Sequence, residues 1–377
     1  MTLPPAGRPM TVVVAPDSFK GSMTSVQVAS ALRDGWLRAR AADTVLLAPL
    51  ADGGEGTLAA IEAAGGWEWQ DATVNDPLCR PIRARWLRSV DGHRAVIEMA
   101  EASGLSRVAP AERDAVAATS VGTGELVRVA IGAGVTTILL GIGGSATTDG
   151  GAGLLAGLGA TADRDRATAD LGGLDDALGR VDFQVACDVS NPLLGASGAA
   201  AVYGPQKGAT NRDVRDLDDR LTRFANALDS ATGRSERDTA GAGAAGGVGF
   251  GLLAIQDRFR SFGLRPGVDL VMDATGFDDK LRDADLVITG EGRIDAQTAF
   301  GKTALGVAKR AHERGISCIA VGGGVTPEGI EALAGLATVV PVVERPQSVE
   351  EAMAAGSAPL ERCGERIARL VALVALG

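Results

Sequence analysis

Short apolar runs that alternate with amphipathic helical patterns most narrowly limit what this chain can fold into. Near the amino end, the run TVVVA at residues 11–15 leads into a polar loop and a helical pattern over about residues 24–40, and TVLLAPL starts a second such unit. From about residue 268 the same order returns, beginning with DLVIT at residues 285–289. Alternation of strand, loop and helix is typical of a parallel α/β sheet. Both ends of the chain therefore predict the α/β class.

The middle of the chain has a different texture. From Trp67 onward, the segments WEWQDATV, IRARWLRS and RAVIEMA alternate as antiparallel strands do. Further along, the chain is rich in glycine and alanine, and we predict loops at residues 160–182 and 229–245. We therefore expect a discontinuous core domain of residues 1–72 and 268–377, with residues 73–267 inserted as a second α/β domain. The alternative is two consecutive domains that split near residue 180.

Composition excludes several classes of protein. A length of 377 residues is more than one hydrophobic core usually serves, which agrees with two domains. The net charge of −10 argues against nucleic acid as a partner, although a small anion needs only a local positive patch. The amino terminus lacks the apolar core of a signal peptide, and the run Leu370–Leu376 is too short to span a bilayer. Four scattered cysteines and two histidines do not form a zinc motif. We expect a cytoplasmic protein without a membrane or nucleic-acid partner.

Two acidic loops follow the first two predicted strands. The carboxyl ends of parallel strands line the ligand crevice of an open α/β sheet, so these loops are candidate sites. PDSFKGS offers Asp17 and Lys20, and ADGGEGT offers Asp52 and Glu55, three residues apart. Carboxylates in this setting hold Mg²⁺ or accept a hydroxyl proton. The alternative for the first loop is that Ser22 or Thr24 merely caps a helix.

The stretch VITGEGRIDAQTAFGKT resembles a P-loop without being one. A P-loop requires glycine five residues before Gly301, and that position is Ala296. What remains is Glu291 and Asp295 with the cations Arg293 and Lys302 near a strand end, spaced by Gly290 and Gly292. The cationic side chains can bind phosphate, and the carboxylates can bind Mg²⁺ or accept a proton. We therefore predict a phosphate site of another kind.

The middle segment contributes a glycine loop between a strand and a helix, GIGGSATTDG. Its Gly143, Gly144, Ser145 and Thr147 suit phosphate oxygens near a helix amino terminus, whereas the alternative is close packing of small residues. The loop also matches the dinucleotide pattern G-x-G-x-x-A, and GAGAAG at residues 241–246 matches G-x-G-x-x-G, but no strand precedes the latter.

Other positions are more ambiguous. After another predicted strand, Asp188 and Asn191 suit a metal, a substrate hydroxyl or an ordinary turn. Only five lysines occur beside 32 arginines, and Lys20, Lys207 and Lys302 all lie in glycine-rich motifs. Gly322–Gly324 either shape the crevice or turn the chain.

Taken in order, these motifs resemble the type I glycerate kinase family. The matching segments are VVVAPDSFKGSMT, PLADGGEGT, EMAEASGL, TSVGTGELV, LGIGGSATTDGGAG, CDVSNPLLG, YGPQKGA and VITGEGRIDAQTAFGKT, from Val12 to Thr303. The resemblance implies ATP-dependent, Mg²⁺-dependent phosphorylation of D-glycerate by a flavodoxin-like core domain with a second α/β domain inserted, without a P-loop. It implies 2-phosphoglycerate as the product, with 3-phosphoglycerate as the alternative.

The candidate residues divide by role, with the active site expected in the cleft between the two domains. Lys20, Arg293 and Lys302 would neutralise phosphate or carboxylate charge, and Asp17, Asp52, Glu55, Glu291 and Asp295 supply carboxylates, with Mg²⁺ on Asp52, Glu291 and Asp295. Nucleotide binding falls to Gly143, Gly144, Ser145, Thr147, Asp188, Asn191, Gly290 and Gly292. Spacing alone does not identify the base. A dinucleotide oxidoreductase and a non-catalytic metabolite sensor are the rival functions, and a homo-oligomer stays open.

Overall fold

The structure is a computed structural model, which describes residues 8–300 and 302–374. Its strands are β1 (Thr11–Pro16), β2 (Thr44–Leu47), β3 (Trp67–Asn75), β4 (Pro81–Ser89), β5 (Arg94–Glu98), β6 (Thr137–Gly141), β7 (Thr161–Asp163), β8 (Thr168–Asp170), β9 (Asp182–Ala186), β10 (Ser261–Arg265), β11 (Leu286–Ile294), β12 (Ser317–Val325) and β13 (Thr338–Pro341). Its α-helices are α1 (Ser25–Ala39), α2 (Thr57–Ala63), α3 (Met99–Ser103), α4 (Val121–Gly132), α5 (Ala152–Gly157), α6 (Ala199–Tyr203), α7 (Asn211–Thr232), α8 (Val248–Ala254), α9 (Gly267–Thr275), α10 (Phe277–Leu281), α11 (Thr303–Glu313), α12 (Pro327–Ala332), α13 (Val349–Ala354) and α14 (Ala358–Val374). In the part of the chain that is described, no helix is long and apolar enough to cross a membrane.

The chain divides into two compact units. Among the described residues, the first unit comprises 8–52, 59–65 and everything from 268 onward, and the second comprises 53–58 and 66–267. The expected domain boundary at residue 72 falls inside β3. That strand pairs along its whole length with β4, from Trp67 opposite Ser89 to Asn75 opposite Pro81, so residues 67–72 lie in the second unit.

The first unit is built on a five-stranded sheet in the order β13-β12-β11-β1-β2, with every pair parallel. Numbered within this sheet alone, the order is 2-1-3-4-5, which is the flavodoxin-like doubly wound arrangement. The predicted α/β class with a flavodoxin-like parallel core is therefore confirmed. The strand order reverses between β1 and β11, and at such a switch point the loops diverge and leave a ligand crevice.

Helices α1 and α14 pack together in the first unit. The predicted start of α1 is confirmed by Thr24, whose side chain and that of Gln27 form a capping box. The helix turns Leu32 and Trp36 into the core. Close approach depends on Gly35, since a Cβ there would lie 1.8 Å from the carbonyl oxygen of Glu361. Substitution at this glycine would force the two helices apart.

The second unit contains a six-stranded mixed sheet in the order β10-β9-β6-β5-β4-β3. The predicted antiparallel pairing is confirmed for β3 with β4 and for β4 with β5, whereas β5, β6, β9 and β10 are parallel.

The two predicted loops of the second unit are partly wrong. Residues 160–182 contain β7 and β8, each only three residues long and too short to show a period. The loop predicted from residue 229 begins within α7, because the helix keeps its apolar face through Leu228 and ends at Thr232 before the αL cap Gly233.

Candidate active site

The sheet of the first unit brings Asp17 and Glu291 to the switch point. Asp17 directly follows β1, and its backbone N–H donates to the carbonyl of Gly290 at 2.8 Å. Glu291 lies within β11, which runs to Ile294 rather than ending near Thr289 as the apolar run predicts. The extension arises because β11 continues to pair with β12, with Glu291 opposite Gly322. Gly290 and Gly292 are therefore strand residues.

The triple glycine also belongs to a strand. Gly322–Gly324 lie in β12, so they extend the sheet and do not turn the chain. The small residues are needed for this close pairing, since a Cβ on Gly323 would lie 2.6 Å from the carbonyl oxygen of Gly292. The consequence is that the backbone that carries Glu291 remains paired in the sheet beyond the point where a loop was predicted.

Two buried carboxyl groups have raised pKa values at this edge of the sheet. Asp17 accepts a hydrogen bond from Thr303 Oγ1 at 2.7 Å, and Glu291 accepts one from Thr298 Oγ1 at 2.8 Å. Burial, followed by the nearby charge of Asp52, raises the pKa of Asp17. Burial raises the pKa of Glu291 to about 7, and the Asp17 and Asp295 carboxylates contribute in the same direction. Such a carboxyl group is suited to exchange a proton near neutral pH.

Cationic side chains lie beside these carboxylates. Lys20 Nζ is 3.1 Å from Asp52 Oδ2, and although burial opposes it, the negative charge of Asp52 and its neighbours raises the pKa of Lys20. Lys302 Nζ lies 3.8 Å from Glu291 Oε2 and also 3.8 Å from Asp295 Oδ1. Arg293 Nε is 3.1 Å from Asp295 Oδ2, while 70% of the Arg293 side chain is exposed. This edge can therefore hold an anion beside groups that accept protons.

The geometry of this region differs from that of a P-loop. Between β11 and α11 the chain forms a 3-10 helix over Ala296–Phe300, and Lys302 is the cap residue before α11. Gly301 lies outside the described residues. The prediction that the protein has no P-loop is confirmed for the segment that is described.

The three predicted Mg²⁺ ligands do not form a ready metal site. Across residues 8–300 and 302–374, no three His, Cys, Asp or Glu side chains are grouped so that they could hold a metal ion. Asp52 is paired with Lys20, whereas Glu291 and Asp295 face Lys302. A magnesium ion that arrives with ATP needs only one or two carboxylates, since phosphate oxygens and water complete its shell.

The loop ADGGEGT is shared between the units. Asp52 belongs to the first unit and Glu55 to the second, so the two carboxylates predicted to act together are assigned to different units. The glycines of this loop fall in the second unit because they pack closely against it. A Cβ on Gly141, at the end of β6, would lie 2.4 Å from the carbonyl oxygen of Gly53. A hydrogen bond of 2.7 Å from the Leu58 N–H to Glu98 Oε1 holds the far side of the loop.

Glu98 is a residue that the motifs missed. It ends β5 inside EMAEASGL, and burial raises its pKa to about 7, with further contributions from Glu101 and Glu55. The only sequence signal was a glutamate at the end of an otherwise apolar run. Its contacts in the second unit show that it supports the 53–58 loop.

The glycine loop of the second unit follows β6 and precedes α5, as predicted. Ser145 and Thr147 are buried and already engaged: Lys207 Nζ donates to Ser145 Oγ at 2.9 Å and to the Thr147 carbonyl at 2.6 Å. The Thr147 hydroxyl donates to the Ala245 carbonyl at 3.4 Å. The backbone of Gly143 and Gly144, more than the hydroxyls, is therefore what this loop offers to a phosphate.

Asp188 and Asn191 both follow β9, and each accepts a hydrogen bond from a residue well separated along the chain. Asp188 Oδ1 accepts from the N–H of Gly267 at 2.9 Å, and Asn191 Oδ1 accepts from the Tyr203 hydroxyl at 2.7 Å. The GAGAAG segment contains a 3-10 turn at Ala244–Gly246 without a preceding strand, which is unlike a dinucleotide-binding turn.

Fold and site together define a class: an α/β enzyme that places buried carboxyl groups and lysines at the switch point of a parallel sheet without a P-loop. Comparison with known proteins makes this specific. The profile of the Glycerate kinase family matches residues 12–372. The glycerate kinase of Halalkalibacterium halodurans is 44% identical, over 95% of this chain and 97% of that protein. The glycerate 2-kinase of Escherichia coli K12 is 38% identical, over 97% and 98%.

A solved structure agrees with these sequences. The crystal structure of a Salmonella typhimurium LT2 protein assigned to glycerate kinase 2 matches with a TM-score of 0.83 and 41% identity, over 96% of this chain and 98% of that one. The chain therefore belongs to the glycerate kinase family, and the predicted kinase class is confirmed.

Proposed function

We propose that this enzyme transfers the γ-phosphoryl group of ATP to the C2 hydroxyl of D-glycerate, giving 2-phosphoglycerate and ADP. The observation that carries the proposal is the charged edge of the first unit, where Glu291 has a pKa of about 7 and lies 3.8 Å from Lys302. Phosphoryl transfer requires alignment and charge neutralisation more than covalent chemistry. Transfer to C2 is supported by the E. coli relative, which is named a glycerate 2-kinase.

We assign the base to Glu291. A general base works best when its pKa is near the working pH. Burial raises the pKa of Glu291 to about 7. The hydrogen bond from Thr298 Oγ1 holds one carboxylate oxygen, which leaves Oε2 on the side of Lys302. In this role Glu291 accepts the proton of the attacking hydroxyl as the oxygen–phosphorus bond forms.

Asp295 has a supporting role. Its Oδ1 accepts the N–H of Gln297 at 2.9 Å, and its Oδ2 is paired with Arg293. These contacts fix the start of the 3-10 helix and the orientation of an exposed guanidinium. Arg293 and Lys302 then neutralise the glycerate carboxylate or the transferring phosphoryl group.

Of the three predicted metal ligands we retain Asp52, and we add Asp17. The charge of Asp52 raises the pKa of Asp17, so the two carboxyl groups share an excess of negative charge that a divalent cation offsets. Magnesium bound there with ATP would neutralise charge on the phosphate oxygens. Lys20, whose Nζ lies 3.1 Å from Asp52 Oδ2, would bind the phosphates as a cation.

In the second unit, the backbone of the loop at residues 143–147 is our candidate for nucleotide phosphate binding. That loops of both units serve the same reaction stays a prediction. Its test is that substitutions in either unit lower the same phosphoryl transfer.

The deciding experiment mixes the enzyme with D-glycerate, ATP and Mg²⁺ and follows phosphoenolpyruvate by an enolase-coupled assay without phosphoglycerate mutase. An immediate signal supports transfer to C2. A signal that appears only after mutase is added moves the transfer to C3. No ADP from folded protein overturns the proposal.

A further inference from the structure

The loop that follows β6 in the second unit is held by cations buried beneath it. Lys207 Nζ donates to the carbonyl of Thr147 at 2.6 Å, and Arg164 Nη1 donates to the next carbonyl, that of Thr148, at 3.1 Å. Both side chains are buried, and Lys207 is only 2% exposed. Two successive carbonyls of the loop thus point at interior cations.

Lys207 is an unusual residue to bury in this way. Within the described residues it has no ion pair, and its donors go to the neutral acceptors Ser145 Oγ and Thr147 O. The charged group that raises its pKa is Asp149, whose oxygens accept from Ser120, Gly151 and Gly153. Burial lowers the pKa of Lys207 to about 7. Because burying an unpaired ammonium is unfavourable, packing alone does not account for this lysine.

Lys207 binds the loop next to two backbone N–H groups that have no partner in the described chain. Gly144 has φ of +70°, and its carbonyl accepts from the N–H of Leu105 at 2.8 Å. The backbone N–H groups of Gly144 and Ser145 have no acceptor in the described chain. Successive N–H groups around a left-handed residue form an anion-binding concavity. Because no described atom of the chain accepts from them, these two donors are available to an anion.

We propose that Lys207 is a positioning residue that holds the 143–148 loop in its phosphate-binding shape through Ser145 Oγ and the Thr147 carbonyl. This inference rests on the proposed role of the loop in binding nucleotide phosphates. Lys207 is only 2% exposed and both of its hydrogen bonds lie inside the unit, so we expect it to act on substrate only through the loop.

The test is Lys207→Met, which keeps the length and most of the volume of the side chain but removes every donor. We expect the KM for ATP to rise about 10- to 100-fold, the range that corresponds to losing charged hydrogen bonds to the loop. The KM for D-glycerate and kcat should change less than about threefold, because only the phosphate loop is released. Lys207→Arg, which keeps a donor at this position, should recover part of the ATP affinity.

Lys280→Met is the matched control. Lys280 is a half-buried lysine of the first unit that donates to the Thr275 carbonyl at 3.2 Å, and burial lowers its pKa too. Both KM values should stay at wild-type levels in this variant. Equal changes in the two variants would show a general cost of losing a buried lysine and would overturn the proposal.

Gly144→Ala separates this inference from the proposed function of the loop. A Cβ at φ +70° strains the loop directly, without touching Lys207. If Gly144→Ala leaves the KM for ATP unchanged, the loop does not bind phosphate and the proposed function of the loop fails. If Gly144→Ala raises that KM and folded Lys207→Met does not, the role of Lys207 fails alone.

A double-mutant cycle keeps the inference testable should Lys207→Met fail to fold. Ser145→Ala, Lys207→Gln and the double variant are compared by the KM for ATP. Strong non-additivity supports action through one hydrogen bond, and additive effects overturn it.

Discussion

The two units use charge in different ways. In the first unit, charged side chains lie at one edge of the sheet, where Asp17 after β1 and Glu291 within β11 have raised pKa values and lysines face carboxylates. In the second unit, Lys207 and Arg164 are buried beneath a glycine loop and hold its carbonyls. In the proposed mechanism, the first arrangement acts through charge on the substrate, whereas the second acts through the shape of the loop backbone. Removing a charge should therefore lower kcat in the first unit and nucleotide affinity in the second.

The largest expected effect is that of Glu291→Gln. The amide keeps the shape and the hydrogen bond from Thr298 but cannot accept a proton, so kcat should fall by about 10²- to 10⁴-fold, the range for a general base. The KM for ATP should stay within about threefold of wild type, because phosphate contacts are retained. Steady-state kinetics measures both, with the exposed Glu331→Gln as the control. A kcat close to wild type would remove Glu291 from the role of base.

The pH profile of the wild-type enzyme gives the next effect. A base must be ionised to act, and the pKa of Glu291 is raised to about 7, so its active form is lost as the pH falls below that value. We expect kcat/KM to drop about tenfold per pH unit below pH 7 and to level off above it. A flat profile between pH 5 and 8 would argue for a base with an ordinary carboxylate pKa.

Asp295→Asn should have a smaller effect. Asp295 is paired with Arg293 and faces Lys302, and both cations remain when it is replaced. We expect kcat to fall about fivefold, which corresponds to the loss of a partly exposed ion pair. If this variant loses more activity than Glu291→Gln under the same conditions, the two residues exchange roles and Asp295 is the base.

The smallest effect on activity is expected from Glu98→Gln in the second unit. Because the pKa of Glu98 is raised from 4.5 to about 7, the stability it contributes is present below pH 4.5 and is lost as the pH rises to 7. The glutamine cannot ionise but still accepts the Leu58 N–H. Relative to wild type, the free energy of unfolding of the variant should therefore rise by about 1–3 kcal/mol between these pH values.

Thermal unfolding at several pH values tests this prediction, with the exposed Glu62→Gln as its control. Parallel pH curves for wild type and Glu98→Gln would mean that Glu98 is not the titrating group. A large loss of kcat in Glu98→Gln would contradict the expectation that charges of the second unit have little effect on kcat.

Much of the fold was accessible from local pattern. The helix at α1, the strands β3 to β5 and the strand–loop–helix around β6 are each specified by residues close in sequence, through period, caps and turns. The missed elements were short or depended on partners. β7 and β8 are three residues each, and β11 is extended by its pairing with β12.

The candidate site was predictable as a set of loops but not as an arrangement. The motifs pointed to Asp17, Lys20, Glu291 and Lys302, and the structure places all four in the first unit. No motif indicated that Asp52 and Glu55 fall in different units, or that Glu98 has a raised pKa. These properties depend on burial by residues far away in the chain.

By itself, the sequence determined the order of strands, glycine loops and helices, and with it the α/β class and the family. Those features follow from side-chain period and from residues that permit particular backbone angles, which are local. Only the tertiary structure decided that β1 and β11 are neighbours, that Glu291 is buried beside Lys302, and that Lys207 lies beneath the 143–148 loop. Such contacts join residues up to hundreds of positions apart, and the pKa values and hydrogen bonds at the site arise from them.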